Sequence, residues 1–179
     1  MIITVSSPQY SVVNITLFTG WNLISLPLQP SDTSIDYLIS DLSGQIVIQY
    51  YNASTGGWTS YDTAAAFPGL NTLNSMSYGN AYWLKSTLNQ TLTIQGSIVR
   101  NHSISLVSGW NFVGFNSSTT AMPNAINRLT NPIIVWDYDT LTDKWKVYDT
   151  SAMWPNTLTN MTAGKGYWLR SNVEQGWRI

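Results

Sequence analysis

The chain repeats itself. Gly20-Trp21-Asn22-Leu23-Ile24 returns 89 residues later as Gly109-Trp110-Asn111-Phe112-Val113. Trp58-Thr59-Ser60-Tyr61-Asp62 returns after 87 residues as Trp145-Lys146-Val147-Tyr148-Asp149. Gly79-Asn80-Ala81-Tyr82-Trp83-Leu84-Lys85-Ser86 returns after 85 as Gly164-Lys165-Gly166-Tyr167-Trp168-Leu169-Arg170-Ser171. Each fall in the offset marks a small loop deletion. A chain of 179 residues with this pattern divides into two modules of about 90 residues each. The division is an N-terminal strand or arm over 1–12, a first β module over 13–100 and a second over 101–179. Internal repetition favours a modular building block over one asymmetric catalytic centre.

Alternation and turn signals predict that each module is mainly β with one short helix. A first strand over 14–18, matched by 103–107, alternates apolar and polar residues and so has one buried face. Thr19-Gly20 and Ser108-Gly109 turn the chain into a second, central strand over 21–28 and 110–115. Ile35, Leu38, Ile39 and Leu42 stand at helical spacing, as do Met122, Ala125, Ile126 and Leu129. Asp32 and Thr119 are the expected N-caps and Gly44 the expected stop. Strands follow over 46–51 and 133–138, over 58–61 and 145–148 after a hairpin turn, and over 82–85 and 167–170. Residues 91–94 close the first module. The fold class is all-β, as two tandem sandwich-like or barrel-like modules; periodicity leaves both architectures open.

Charged residues make up only 9% of the chain, against about 25% in ordinary globular domains. Such a surface needs another source of hydration. Asn-x-Ser/Thr acceptor triplets begin at Asn14, Asn52, Asn89, Asn101, Asn116 and Asn160, which points to N-linked glycans and an extracellular or cell-surface location. The net charge of −1 gives no electrostatic case for nucleic acid or anionic membrane. No stretch reads as a membrane span, because Pro8, Pro27 and Pro30 and many polar residues interrupt the uncharged first 31 residues. The start lacks the pattern of a signal peptide, so the expectation for a secreted protein is a mature chain or an excised piece. There is no cysteine; nine tryptophans and ten tyrosines supply packing in place of disulfides, a usage that suits hot or acidic surroundings.

The first residues carry an assembly expectation. At the 89-residue offset, Ile3-Thr4-Val5 falls on Leu92-Thr93-Ile94, the closing strand of module one. Ile2, Ile3, Thr4 and Val5 therefore resemble the last strand of a module whose body is absent. Module two ends at Trp177-Arg178-Ile179 with no counterpart of residues 95–99. The N-terminal strand either folds back on module one or completes module two of a neighbouring copy by donor-strand complementation. The second arrangement is head-to-tail and builds a homopolymer, with a joint between subunits that imitates the joint within the chain.

Residues 20–28, Gly-Trp-Asn-Leu-Ile-Ser-Leu-Pro-Leu, and 79–84, Gly-x-x-Tyr-Trp-Leu, resemble modules repeated in archaeal and bacterial surface proteins. Paired modules, a free N-terminal strand, dense acceptor triplets and absent cysteine together resemble the archaeal thread, a thin extracellular filament of thermoacidophiles. In architecture the resemblance covers nearly the whole chain; its motifs are packing motifs. It implies subunits linked by donor strands, here residues 1–12, and N-glycans on the six asparagines. It brings no catalytic residue.

Enzymatic chemistry has little material. His102 is the only histidine and lies within the Asn101 triplet, as an expected exposed loop residue. Glu174 is the only glutamate, so a glycosidase pair would have to come from aspartates. Asp62 and Asp149 recur, each after a tyrosine, and read as turn-forming side chains. Asp137, Asp139 and Asp143 cluster in one hairpin, with Tyr50, Asn52 and Gly56 in the first copy, and lack the spacing of a calcium loop. No cofactor or metal is expected. Lys85 is matched by Arg170, so a covalent Lys–Asn cross-link at that strand would be confined to one module.

Trp21, Trp58 and Trp83 recur as Trp110, Trp145 and Trp168, and residues kept in both copies are assigned to cores. Trp136 faces Gln49 in the alignment, and Trp154 faces Phe67, which makes Trp136 the candidate exposed stacking ring. Two non-enzymatic functions result: a glycosylated filament subunit that serves adhesion or biofilm cohesion with identical subunits as partners, or a carbohydrate-binding module of a larger surface protein with surface glycans as partners.

Overall fold

The computed structural model describes residues 10–130 and 132–179. Module one comprises β1 (Tyr10–Leu17), β2 (Gly20–Ser25), helix α1 (Ile35–Leu38), β3 (Ile46–Asn52), β4 (Gly57–Asp62), β5 (Ala81–Ser86) and β6 (Gln90–Ser97). Module two comprises β7 (Ser103–Leu106), β8 (Gly109–Gly114), β9 (Thr120–Ala121), β10 (Ile133–Asp139), β11 (Lys144–Asp149), β12 (Asn160–Met161), β13 (Gly166–Ser171) and β14 (Gln175–Arg178). Each module has a four-stranded antiparallel sheet, β2-β5-β3-β4 or β8-β13-β10-β11, and a separate two-stranded ribbon, β1-β6 or β7-β14. The sheets stay open, which settles the architecture as sandwich-like rather than barrel.

The inward face of each sheet packs on its ribbon. In module one Ile24, Ile46, Ile48, Tyr82 and Leu84 from the sheet meet Leu17, Leu92 and Ile94 from the ribbon. In module two Val113, Ile133, Val135, Tyr167 and Leu169 meet Ile104, Leu106 and Trp177. Two repeated motifs build this layer. In Gly-Trp-Asn, Gly20 and Gly109 adopt φ of 103° and 106°, where a side chain is strained. The buried Asn then pins the turn: Asn22 Oδ1 accepts from Phe18 N–H at 2.9 Å, and Asn111 Oδ1 from Val107 N–H at 2.9 Å. In Gly-x-x-Tyr-Trp the tyrosine points inward and its oxygen accepts an amide, from Ser77 at 2.6 Å or Thr162 at 2.8 Å. Strand alternation sends the tryptophan of both motifs to the opposite face.

The helical expectation is met in part. In module one α1 is a single turn capped at Ser34; Leu42 N–H bonds Ile39 C=O at 2.9 Å, an i→i+3 bond that ends the α pattern. Asp32 is not the cap: two residues before Ser34, its carboxylate accepts from Ser34 N–H and Oγ–H. Gly44 takes the left-handed φ of 74° of a stop. In module two the same stripe is only a 3-10 turn, Asn124–Ile126, led by Pro123 rather than Thr119. There the Met122 amide is tied across to Thr159 C=O, and Asn124 and Asn127 are weak helix formers.

The closing strand of module two is present. β14 pairs with β7 through Gln175↔Leu106 and Arg178↔Ser103. Trp177 is 1% exposed, stacks on Phe115 at 6.0 Å and donates Nε1–H to Ala125 C=O at 3.2 Å. The module's own residues thus supply the counterpart of residues 91–94 of module one, in a ribbon of two strands. Residues Ile2–Val5 lie outside the described residues. Tyr10–Val12, assigned above to the arm, are the first residues of β1 and pair with Ser97–Gln95.

The two modules join by their outer sheet faces, and the joint is two-fold. Ser25 N–H donates to Gly164 C=O at 2.8 Å, and the equivalent Gly114 N–H donates to Gly79 C=O at 2.8 Å. The bridges Ile24↔Lys165 and Asn80↔Val113 are likewise each other's mates. Small residues allow the close approach. A Cβ on Gly166 would lie 2.7 Å from Ala81 Cβ, and one on Gly114 would lie 2.5 Å from Ser25 Cβ. An isologous contact of this kind closes on itself. It cannot be the template for a head-to-tail joint, contrary to the expectation above.

Candidate ligand-binding site

The sheet faces touch only near their small residues, and aromatic side chains fill and flank the rest. Leu23, Ala81 and Phe112 are buried at the centre, with Tyr50, Tyr51, Trp83, Tyr138 and Trp168 packed against them. The rings obey the two-fold relation. Tyr51–Trp168 centroids are 5.2 Å apart and Tyr138–Trp83 5.3 Å. Trp58–Trp168 are 6.0 Å apart and Trp145–Trp83 5.8 Å. Trp110–Trp168 are 6.4 Å apart and Trp21–Trp83 6.2 Å. Most of these are edge-to-face, the arrangement favoured by ring quadrupoles.

Two open hollows are lined mainly by these rings, one per sheet. The first, about 650 Å³, is lined by Trp110, Trp136, Trp145 and Trp168 of module two and Tyr51 and Trp58 of module one. The second, about 360 Å³, is lined by Trp21, Gln49, Trp83 and Tyr138. These four are the equivalents of Trp110, Trp136, Trp168 and Tyr51. Trp136 against Gln49 is the one change of lining chemistry among them. Trp154, 6.1 Å from Trp136 and half exposed, lies next to the larger hollow.

Local turn chemistry aims these rings. The β3–β4 hairpin turns through Asn52, whose Oδ1 accepts from Ser54 N–H at 3.0 Å, and Gly56 at φ 69°. The β10–β11 hairpin uses Asp139, which accepts from Leu141 N–H at 3.1 Å, and Asp143 at φ 54°. Such side-chain turns fix the register that puts Trp58 and Trp145 next to the joint. Tyr138 O–H donates to Asp143 at 2.5 Å, a bond that pushes its pKa up.

The paired tryptophans are therefore not core residues of either module. Trp58 is 51% exposed, Trp145 45% and Trp110 39%. Their repetition reflects the two-fold joint and the hollows beside it. Trp136, expected as an exposed ring, is half-buried and lines the larger hollow. The other five rings were missed, although β alternation against the inward Asn and Tyr carried the signal.

The remaining candidates separate. Asp137 pairs with Lys165 at 2.7 Å, Asp139 with Lys146 at 2.8 Å, and Asp143 with Tyr138. Among the described residues no three acidic or histidine side chains form a metal-sized group. Asp62 and Asp149 shape turns, accepting from Ala64 N–H and Ser151 N–H, each at 2.8 Å. His102 is not a free loop residue: it packs edge-on against Tyr78 at 4.8 Å, and burial lowers its pKa. Glu174 is exposed in the β13–β14 turn.

Of the acceptor asparagines, Asn14, Asn89, Asn101 and Asn160 are exposed. Asn52 is half-buried at its hairpin. Asn116 sits in the joint, its nitrogen toward the Leu26 and Phe115 carbonyls (2.9 and 3.2 Å) and its oxygen toward Gly79 N–H at 3.1 Å. Among the described residues no helix is long and apolar enough to cross a membrane. Comparison of the chain with protein-family models, with curated proteins and with solved structures gives no match.

Proposed function

We propose that the chain is a non-catalytic glycan-binding unit of an extracellular surface protein, with the six-ring hollow as its binding site. One observation carries this reading. Tyr51, Trp58, Trp110, Trp136, Trp145 and Trp168 converge on one open space, and three of the four solvent-facing tryptophans of the described chain belong to it. Open aromatic surface of this extent marks an interaction site. Flat pyranose faces offer C–H-rich surfaces to such rings while their hydroxyls stay in water. The repeated aspartates are committed to turns, in keeping with binding rather than hydrolysis. The test is titration of the full chain against an immobilised polysaccharide panel, with Trp136→Ala alongside. Binding lost in the variant at unchanged melting temperature supports the reading. Equal binding by the variant, or none by the wild type, overturns it.

A second reading, the glycosylated filament subunit with identical copies as partners, has its own observation. Among the described residues β1 pairs on one side only, with β6, and Tyr10 and Val12 are 60% and 59% exposed. A free edge of this kind accepts a further strand. Four exposed acceptor asparagines fit the accompanying glycan coat. Deleting residues 1–9 leaves β1 intact and should abolish filaments seen by electron microscopy. Filaments formed by the truncated chain would end this alternative.

A further inference from the structure

Each hollow has a cation beside it that the two-fold relation reproduces. Lys85 lies directly across from Trp21 in the β2–β5 register, and Arg170 directly across from Trp110 in β8–β13. Cross-strand partners share a face, so both cations stand on the aromatic face. Both are exposed. Lys85 Nζ sits 5.9 Å from the Trp21 ring centroid. Neither forms an ion pair among the described residues, whereas Lys146 and Lys165 do. The chain has only eight Lys and Arg residues. Two of them occupy one equivalent position, on strands interior to their sheets. Blunting of a sheet edge, the common use of surface lysine in β proteins, does not account for them.

We infer that the hollows take an acidic polysaccharide, each tryptophan stacking a sugar ring while Lys85 or Arg170 meets its carboxylate or sulfate. This deepens the glycan reading above and rests on it. A ring platform with one adjacent cation fits one anionic group per sugar ring; Arg170 adds a two-pronged donor that matches a carboxylate. The smaller hollow then acts as a second subsite for the same ligand class, weaker because Gln49 stands where Trp136 would stack.

The test uses the full chain at low ionic strength, titrated with polygalacturonate and with the same polymer fully methyl-esterified. The acid should bind at least about tenfold more tightly than the ester, a gap that narrows with added salt. In the double variant Lys85→Gln, Arg170→Gln the acid should fall to the ester's level, and Lys85→Arg with Arg170→Lys should restore the preference. Equal affinity of wild type for acid and ester overturns the inference and leaves stacking intact. Failure to bind either polymer, or any member of the neutral panel, overturns both proposals. Tighter binding of oligothymidylate than of polygalacturonate assigns the cations to nucleic acid and overturns the inference.

Discussion

Module one and module two share strand order, turn pins and outward tryptophans, and they differ at the places where they meet each other and the solvent. At the joint, module one carries the small knobs Ser25 and Ala81, and module two the notches Gly114 and Gly166. Two copies of module one would set Ala81 against Ala81, where the observed spacing leaves no room for a second methyl. Glycine on one side only thus makes each module selective for its unlike partner. On the open faces, Gln49 in one hollow is Trp136 in the other. At the end of the inward layer, Tyr50 packs on Tyr82 at 5.5 Å. Its counterpart Asp137 instead pairs with Lys165, and its Oδ1 is left buried without a partner. Leu92 is replaced by Trp177, whose bulk suits a ribbon of four-residue strands where module one has eight.

The difference teaches that the repeat conserves the two-fold contact and varies what lies beside it. The largest expected effect tests that contact. Gly166→Val forces a branched side chain onto Ala81 and the Ile24 carbonyl, and should cost about 3 kcal/mol or part the modules. Denaturant unfolding and small-angle scattering read this. Ligand affinity should fall with it, because Tyr51 and Trp58 reach the larger hollow from module one. The exchange Gly166→Ala with Ala81→Gly relieves the contact with Ala81 but leaves the Ile24 carbonyl 2.7 Å from the new Cβ, so it should be less damaging than Gly166→Ala alone; equal damage would break the knob-and-notch account.

Next in size is the hollow itself. Trp136→Gln makes the larger hollow resemble the smaller, and should weaken glycan binding by about 2 kcal/mol, roughly thirtyfold, with melting little changed. The reverse change Gln49→Trp should strengthen the smaller site, seen as a second equivalent of ligand bound in calorimetry. If both variants bind like wild type, the asymmetry between hollows carries no function.

The smallest effects concern Asp137. Lys165→Met removes its partner, a side chain 41% exposed, and should cost about 1 kcal/mol. Transplanting the module-one pair, Asp137→Tyr with Lys165→Asn, should be neutral or stabilise by about 1 kcal/mol. The pH response separates them further. Burial pushes the Asp137 carboxyl above its ordinary 3.8, against the pull of Lys165. A raised folded-state pKa means that the folded chain takes up the proton first as pH falls. This group therefore opposes folding when ionised, and the penalty lifts as pH drops through its raised pKa toward 3.8. The stability of wild type relative to the double variant should rise over that acidic window. A relative fall would show that the ion pair, not burial, governs the group.

Much of the fold was legible in the residues. Alternation in 14–18 and 103–107 located the ribbons, and Gly20 and Gly109 located the turns. The helix was overread, because Ile35, Leu38, Ile39 and Leu42 keep helical spacing through one α turn and the i→i+3 turns that follow it. The site was legible only at Trp136, where the copies disagree. Trp58, Trp110, Trp145 and Trp168 were assigned to cores because a tryptophan kept in both copies satisfies a core and a two-fold interface equally well.

The sequence by itself determined two β modules, their turns, their pinning Asn and Tyr residues and the near absence of charge. These depend on contacts within about ten residues or on composition, and both are local. Only the tertiary structure decided that the modules meet face to face about a two-fold axis, that β14 closes module two, and that six rings from both modules share one hollow. Such facts depend on which surfaces approach across long chain separations. That is set by the fit of Ser25 and Ala81 into glycine notches, which no periodicity records.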